Sequence, residues 1–214
     1  VDANGNVLIN AQDDVTAVLT AGSAAGGGDA GVGGSLAVAT LIGSTRAYVG
    51  EGASVNARGN RDAASVYTGD PVAALLYKNE AIEDLVAHPP ASPADLLDKK
   101  KENAKGLSVT AYNRENLITT VASGAGGGKA GVAATVSANV IATNTEAAIR
   151  RGAKINEDNR GAGADQQVRV KAVDETLLID TAAGAGGGGS AGVGAAANVA
   201  VVAKTTQAWI GRSA

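Results

Sequence analysis

Three near-copies of one segment constrain this chain more than any other feature of it. Gly26-Gly27-Gly28-Asp29-Ala30-Gly31-Val32 returns as Gly126-Gly127-Gly128-Lys129-Ala130-Gly131-Val132 and again as Gly187-Gly188-Gly189-Ser190-Ala191-Gly192-Val193. The offsets are 100 and 61, and they hold without a gap from Val7 to Ala53 of the first copy. A unit of about 50 residues repeated in this way cannot cover its own apolar surface, so the copies must stack on one another. The chain divides into copy one at 1–57, a linker with an insertion at 58–106, copy two with its linker at 107–167, and a truncated copy three at 168–214.

Aligning the copies separates held positions from free ones. Val7/Leu107/Val168, Ile9/Val109/Val170 and Ala11/Ala111/Ala172 stay apolar, whereas Leu8/Ser108/Arg169 and Asn10/Thr110/Lys171 drift towards polar. A period of two marks a half-buried strand. Thr45/Thr145/Thr206, Ala47/Ala147/Ala208 and Val49/Ile149/Ile210 are held in the same manner, with Arg46/Glu146/Gln207 and Tyr48/Ala148/Trp209 varying between them. That pattern puts the threonines inward and Tyr48 and Trp209 outward, which argues against an ice-binding face built from outward threonines.

The runs 30–42, 130–142 and 191–203 carry no charge, and both alternating sets are small or β-branched. They read as strands covered on both faces by close neighbours, and 16–25 reads likewise. The triple glycines mark corners or bulges where the chain changes direction at a tight angle. The fold expected is all-β, a parallel β-helix (β-solenoid) of Gly/Ala-rich repeats, although the same runs are also compatible with antiparallel hairpins. Composition agrees: 30 of 214 residues are glycine, and there is no phenylalanine, methionine or cysteine. The chain starts at Val1, and Ala214 aligns with Ala53 and Ala153, just before the expected strand Ser54-Val55-Asn56. This is expected of an excerpt from a longer array, with flanking repeats as its nearest partners.

The first linker exceeds the second by 39 residues and holds all four prolines and the single histidine. Asp70 as N-cap, Pro71 at the first helical position, and Val72, Leu75, Leu76, Ile82, Leu85 and Val86 on one face predict a helix that ends at Pro89 and Pro90. A second helix is expected from Ser92 and Pro93, with Leu96 and Leu97 apolar, Lys99 to Lys101 at its negative end and Gly106 as its stop. The helical hairpin at about 70–105 either covers the array or carries a binding epitope.

Known chemistries find little here. Gly184 to Gly189 satisfies the dinucleotide string G-x-G-x-x-G, but a β-type run follows and Thr205 to Trp209 has no carboxylate. Gly124 to Lys129 fails as a phosphate loop at Ser123 and at Ala130. A periodic calcium site fails because Asp29 is replaced by Lys129 and Ser190. His88 has no second histidine or cysteine with which to hold a metal. No cofactor is expected, and Ser or Cys hydrolase chemistry lacks its base or nucleophile. Asp13-Asp14, Glu80-Glu83-Asp84 and Asp174-Glu175 are the carboxylate pairs a glycosidase would use. A net charge of -3 disfavours nucleic acid. Thr181 to Ala203 is uncharged over a membrane-spanning length, but its central glycines make a poor spanning helix.

The Gly-Gly-Gly-x-Ala-Gly-Val turn, the uncharged small-residue strand after it, Thr-x-Ala-x-Val/Ile, and the stretch Arg46-Ala47-Tyr48-Val49-Gly50-Glu51-Gly52-Ala53-Ser54-Val55-Asn56-Ala57 resemble the repeats of large secreted bacterial adhesins of the filamentous-haemagglutinin and autotransporter-passenger type. The resemblance covers the three copies and not the insertion. It implies a right-handed parallel β-helix at the outer surface of a Gram-negative cell or outside it, acting as a non-enzymatic stalk and a contact surface for host-cell or matrix protein or glycan, or for other bacteria. Tyr48 and Trp209, with Tyr77 and His88 on the insertion, are the first residues expected to touch a partner. The alternative is a polysaccharide-binding or polysaccharide-cleaving β-helix protein.

Overall fold

The computed structural model describes residues 1–67 and 101–212. Each copy runs out along one long strand, bends at its triple glycine and returns along another. The strands are β1 (Asp2–Ala3), β2 (Val7–Gly27), β3 (Ala30–Val49), β4 (Ser54–Ala57), β5 (Ala64–Tyr67), β6 (Lys101–Ala104), β7 (Gly106–Gly127), β8 (Ala130–Ile149), β9 (Lys154–Ile155), β10 (Gln167–Gly188) and β11 (Ala191–Ile210). Among the described residues there is no helix.

Like strands of successive copies pair in parallel. The outgoing strands form a sheet in the order β10-β7-β2, and the returning strands form one in the order β11-β8-β3. Val7 lies beside Leu107, which lies beside Val168, and Val32 beside Val132 beside Val193, so the sequence offsets of 100 and 61 are the physical register. The parallel pairing decides against antiparallel hairpins within the glycine runs. A one-residue slip would turn every inward side chain outward, so the alternation holds this register. Where equivalent positions of the first two copies are both charged they stack opposite signs, as in Lys129 on Asp29 at 2.9 Å, Arg151 on Glu51 at 3.0 Å and Arg46 on Glu146 at 3.7 Å. These exposed pairs add little stability, but like charges in the same places would oppose the stacking.

The two sheets face each other and diverge from the glycine corner like a wedge. Beside the corner their backbones nearly touch. A Cβ on Gly131 would lie 2.2 Å from the Gly187 carbonyl oxygen and 2.6 Å from that of Ala125, and one on Gly194 would lie 2.1 Å from that of Gly184. No side chain fits at those positions, and among their inward neighbours beside the corner nothing larger than Ala25, Ala125 and Ala133 is found. Farther out the inward residues grow to Ser23 and Ser35, then Leu117 and Ile141, and at the wide end to Leu107, Val49 and Ile149. The small sheet β1-β4-β9 closes that end, with Val55 and Ala57 packed on Leu107, Val109, Ala147 and Ile149. Gly52 and Gly152, at φ of 68° and 70°, make the left-handed turns leading into it.

Three expectations need correction. The runs 16–25, 30–42 and 130–142 are covered on their inward face only: Val18, Val32, Leu36, Val38, Ile42, Val132 and Val136 are exposed on the outward one, and 191–203, on the last strand of its sheet, is exposed on both. The outward half of β7, from Ser108 to Asn116, is instead buried. Part of its cover comes from the antiparallel β5–β6 pair, whose Glu102 bonds to Arg169 and lies 4.0 Å from Lys171. Finally, Lys101–Ala104 is a strand, so the second predicted helix does not reach Gly106. That glycine is needed for another reason, since it enters β7 at a φ of 89° with its absent Cβ 2.4 Å from the Gln167 carbonyl oxygen. The rest of the predicted helical hairpin, 70–100, lies outside the described residues, as do Tyr77 and His88.

Candidate functional site

Two groupings of side chains stand out from the stacked ladders, one outward and one between the sheets. The outward grouping lies at the wide end of the β3, β8 and β11 sheet. Tyr48, Ala148 and Trp209 share one row across the three strands. Ala148 is fully buried, while the two aromatics flanking it stay 45% and 37% exposed. The Arg150 guanidinium sits 3.8 Å from the centroid of the Tyr48 ring, a cation–π contact that holds the ring's orientation. The next row carries Arg46, Glu146 and Gln207. Two aromatic surfaces beside hydrogen-bonding and charged groups form a patch able to stack on a planar or sugar-like group and bond its polar edges.

The inward grouping centres on Lys204. Its ammonium lies 2.6 Å from Glu115 Oε2 and also contacts Asp174 and Thr176. Thr143 and Thr145 donate to Asp174 Oδ2 at 3.1 and 3.0 Å, Thr176 donates to Glu115 Oε2 at 3.0 Å, and Asn113 bonds both carboxylates. A buried ion pair is tolerated when its remaining lone pairs and protons are satisfied in this way. The first copy places Asp13, Val15 and Gly43 in the same rows, and a cavity of about 280 Å³ opens there beside Asp13, Glu115 and Thr143.

Carboxylates adjacent in sequence point to opposite sides of a strand, so they do not form the pairs a glycosidase would use. Asp174 joins the Lys204 cluster, while Glu175 Oε2 accepts a 2.7 Å hydrogen bond from the Tyr112 hydroxyl on the outward side. Burial first, and that hydrogen bond second, push the Tyr112 hydroxyl above the ordinary tyrosine value. Asp13 and Asp14 are divided in the same way. Among the described residues no group of three or more His, Asp or Glu could hold a metal ion, and no helix is long and apolar enough to cross a membrane.

The Lys204 cluster escaped the sequence reading, although its signal was present. Lys204 stands two residues before the inward Thr206, and Asp174 two after the inward Ala172, so alternation alone sends both between the sheets. Thr45 and Thr145 are buried, as the same alternation required, while Thr206 on the last strand of the sheet is exposed. No protein-family model, curated protein or solved structure matches the chain.

Proposed function

We propose that the chain is three coils of a parallel β-helix serving as a non-enzymatic stalk segment of a large surface-exposed or secreted bacterial adhesin. The supporting observation is the unbroken register over both long sheets, in which each copy lies beside its own equivalents. Such a stack lengthens by adding copies, and its stability comes from contacts between neighbours. That suits a spacer that carries a contact surface away from a cell.

The Tyr48–Trp209 row is the contact surface this reading selects, with a host-cell or matrix protein, a glycan, or another bacterium as partner. Tyr48→Ala/Trp209→Ala is the test, scored on epithelial cells, immobilised matrix proteins and a glycan array. The expected result is loss of binding with an unchanged circular dichroism spectrum. Unimpaired binding by that variant would remove the row from the site. Release of new sugar ends from any glycan in the panel would overturn the non-enzymatic reading.

A further inference from the structure

The outward face of the β3, β8 and β11 sheet next to the glycine corner is apolar, and no other described segment covers it. Its six rows run from Val32/Val132/Val193 to Ile42/Ala142/Ala203, with Thr40 as the one polar side chain. Exposure of the large residues reaches 75% at Val32, 64% at Leu36 and 78% at Ile42, and stays at 55% and 51% at Val199 and Val201. At strand spacing and rise these six rows cover roughly 35 Å by 14 Å, or about 500 Å². Soluble chains rarely leave an apolar patch larger than a few hundred Å² without a partner.

We propose that this face pairs with the same face of a second copy of the chain. About 500 Å² on each side, roughly 1,000 Å² together, reaches the size a specific interface needs, and homodimer interfaces are the most apolar class. Two such sheets would pack aligned at about 10 Å, as in a β-sandwich. The surface is relieved row by row: the small Gly34/Ala134/Ala195 row lies between the large Val32 and Leu36 rows, so ridges of one copy can enter grooves of the other. Both ends of the face carry both signs of charge, Asp29 and Lys129 at the corner and Arg46 and Glu146 beyond the apolar rows. A twofold-related copy can match opposite signs there. The cations at its ends are engaged, Lys129 with Asp29, Arg46 with Glu146, Arg151 with Glu51 and Arg150 over the Tyr48 ring, which leaves little free positive charge to attract an anionic lipid surface. The pairing stands apart from the adhesive reading and would set two stalks side by side.

Analytical ultracentrifugation of the 214-residue chain over a micromolar concentration series tests the pairing, with Val136→Lys/Val140→Lys as the probe. Both valines point outward from the central strand β8, so the open strand edges at β2, β3, β10 and β11 stay as they are. A reversible dimer is expected, weakened at least about 100-fold by the two lysines with the β spectrum retained, since each buries an unpaired charge. If that variant fails to fold, Val136→Thr/Val140→Thr keeps the side-chain shape, and about tenfold weakening is expected of it. A wild-type chain that stays monomeric at 100 µM would overturn the pairing, including one that co-sediments with phosphatidylethanolamine/phosphatidylglycerol vesicles. Association unchanged by the substitutions would also overturn it, in favour of edge-to-edge strand pairing.

Discussion

Replacing Lys204 by methionine removes one charge from between the sheets while keeping most of the side-chain stem. Glu115 and Asp174, whose side chains are only 3% and 2% exposed, would then share a site with no cation beside them. Removing one partner of a buried ion pair costs about 3–5 kcal/mol, because the other charge stays desolvated. For a chain of this length, that corresponds to a melting temperature lower by roughly 6–20 °C. Salt should recover little of the loss, since buried charges are poorly screened.

The control is Glu115→Gln/Asp174→Asn/Lys204→Met, which removes all three charges together. Asn at position 174 repeats the residue that Asn113 already supplies in the same row of the second copy. This variant should melt well above the single one and within about 1–2 kcal/mol of wild type, because nothing charged is left unpaired. Thermal and urea unfolding followed by far-ultraviolet circular dichroism measure both. A single variant within about 1 kcal/mol of wild type would show that the carboxylates find other compensation. A triple variant no better than the single one would show that packing, and not charge, dominates the site.

Two further substitutions probe the wedge and the covered outer face. Gly131→Ala must displace the Gly187 or Ala125 backbone and should cost about 2–3 kcal/mol or more in urea unfolding, whereas Gly126→Ala, with open space at its Cβ, should stay within about 1 kcal/mol of wild type. Equal effects at the two positions would contradict the close approach of the sheets. At Tyr112 the folded state favours the protonated hydroxyl, so its contribution to stability is fully present below the ordinary value of 10.0 and declines as pH rises above it. Subtracting the 295 nm absorbance titration of Tyr112→Phe from that of wild type should place this ionisation above pH 10, and a step at or below 10 would contradict the burial.

The strand register, glycine corners and the inward Thr45 and Thr145 were legible because each rests on a comparison of the chain with itself. Position 107 against 7 and 168 carries the same information in sequence as in space. Lys101–Ala104 was not legible for the opposite reason. Lysines at an expected helix end are a local signal worth a few tenths of a kcal/mol, and pairing with Ala64–Tyr67 overrides it. That pairing depends on a segment more than thirty residues away, and the interaction of Glu102 with Arg169 and Lys171 on one farther still.

The outward apolar face shows a different limit. An uncharged strand with β-branched residues on both sides reads identically whether its second face meets its own chain or another, because the hydrophobic effect depends on water removed and not on who removes it. Val32, Leu36 and Ile42 therefore looked like core. The two faces of β3 nevertheless differ chemically. The inward set shrinks to Gly31 and Gly33 at the corner because the opposing backbone stands within about 3 Å of where a Cβ would be, whereas the outward set carries Val32 and Leu36 beside that same corner and its one glycine, Gly34, has room for a Cβ. Side-chain volume at the inward positions records an internal neighbour at a fixed distance. The room left at the outward positions records a surface that no described segment of the same copy approaches, and that asymmetry within one strand separates core from interface where hydropathy cannot.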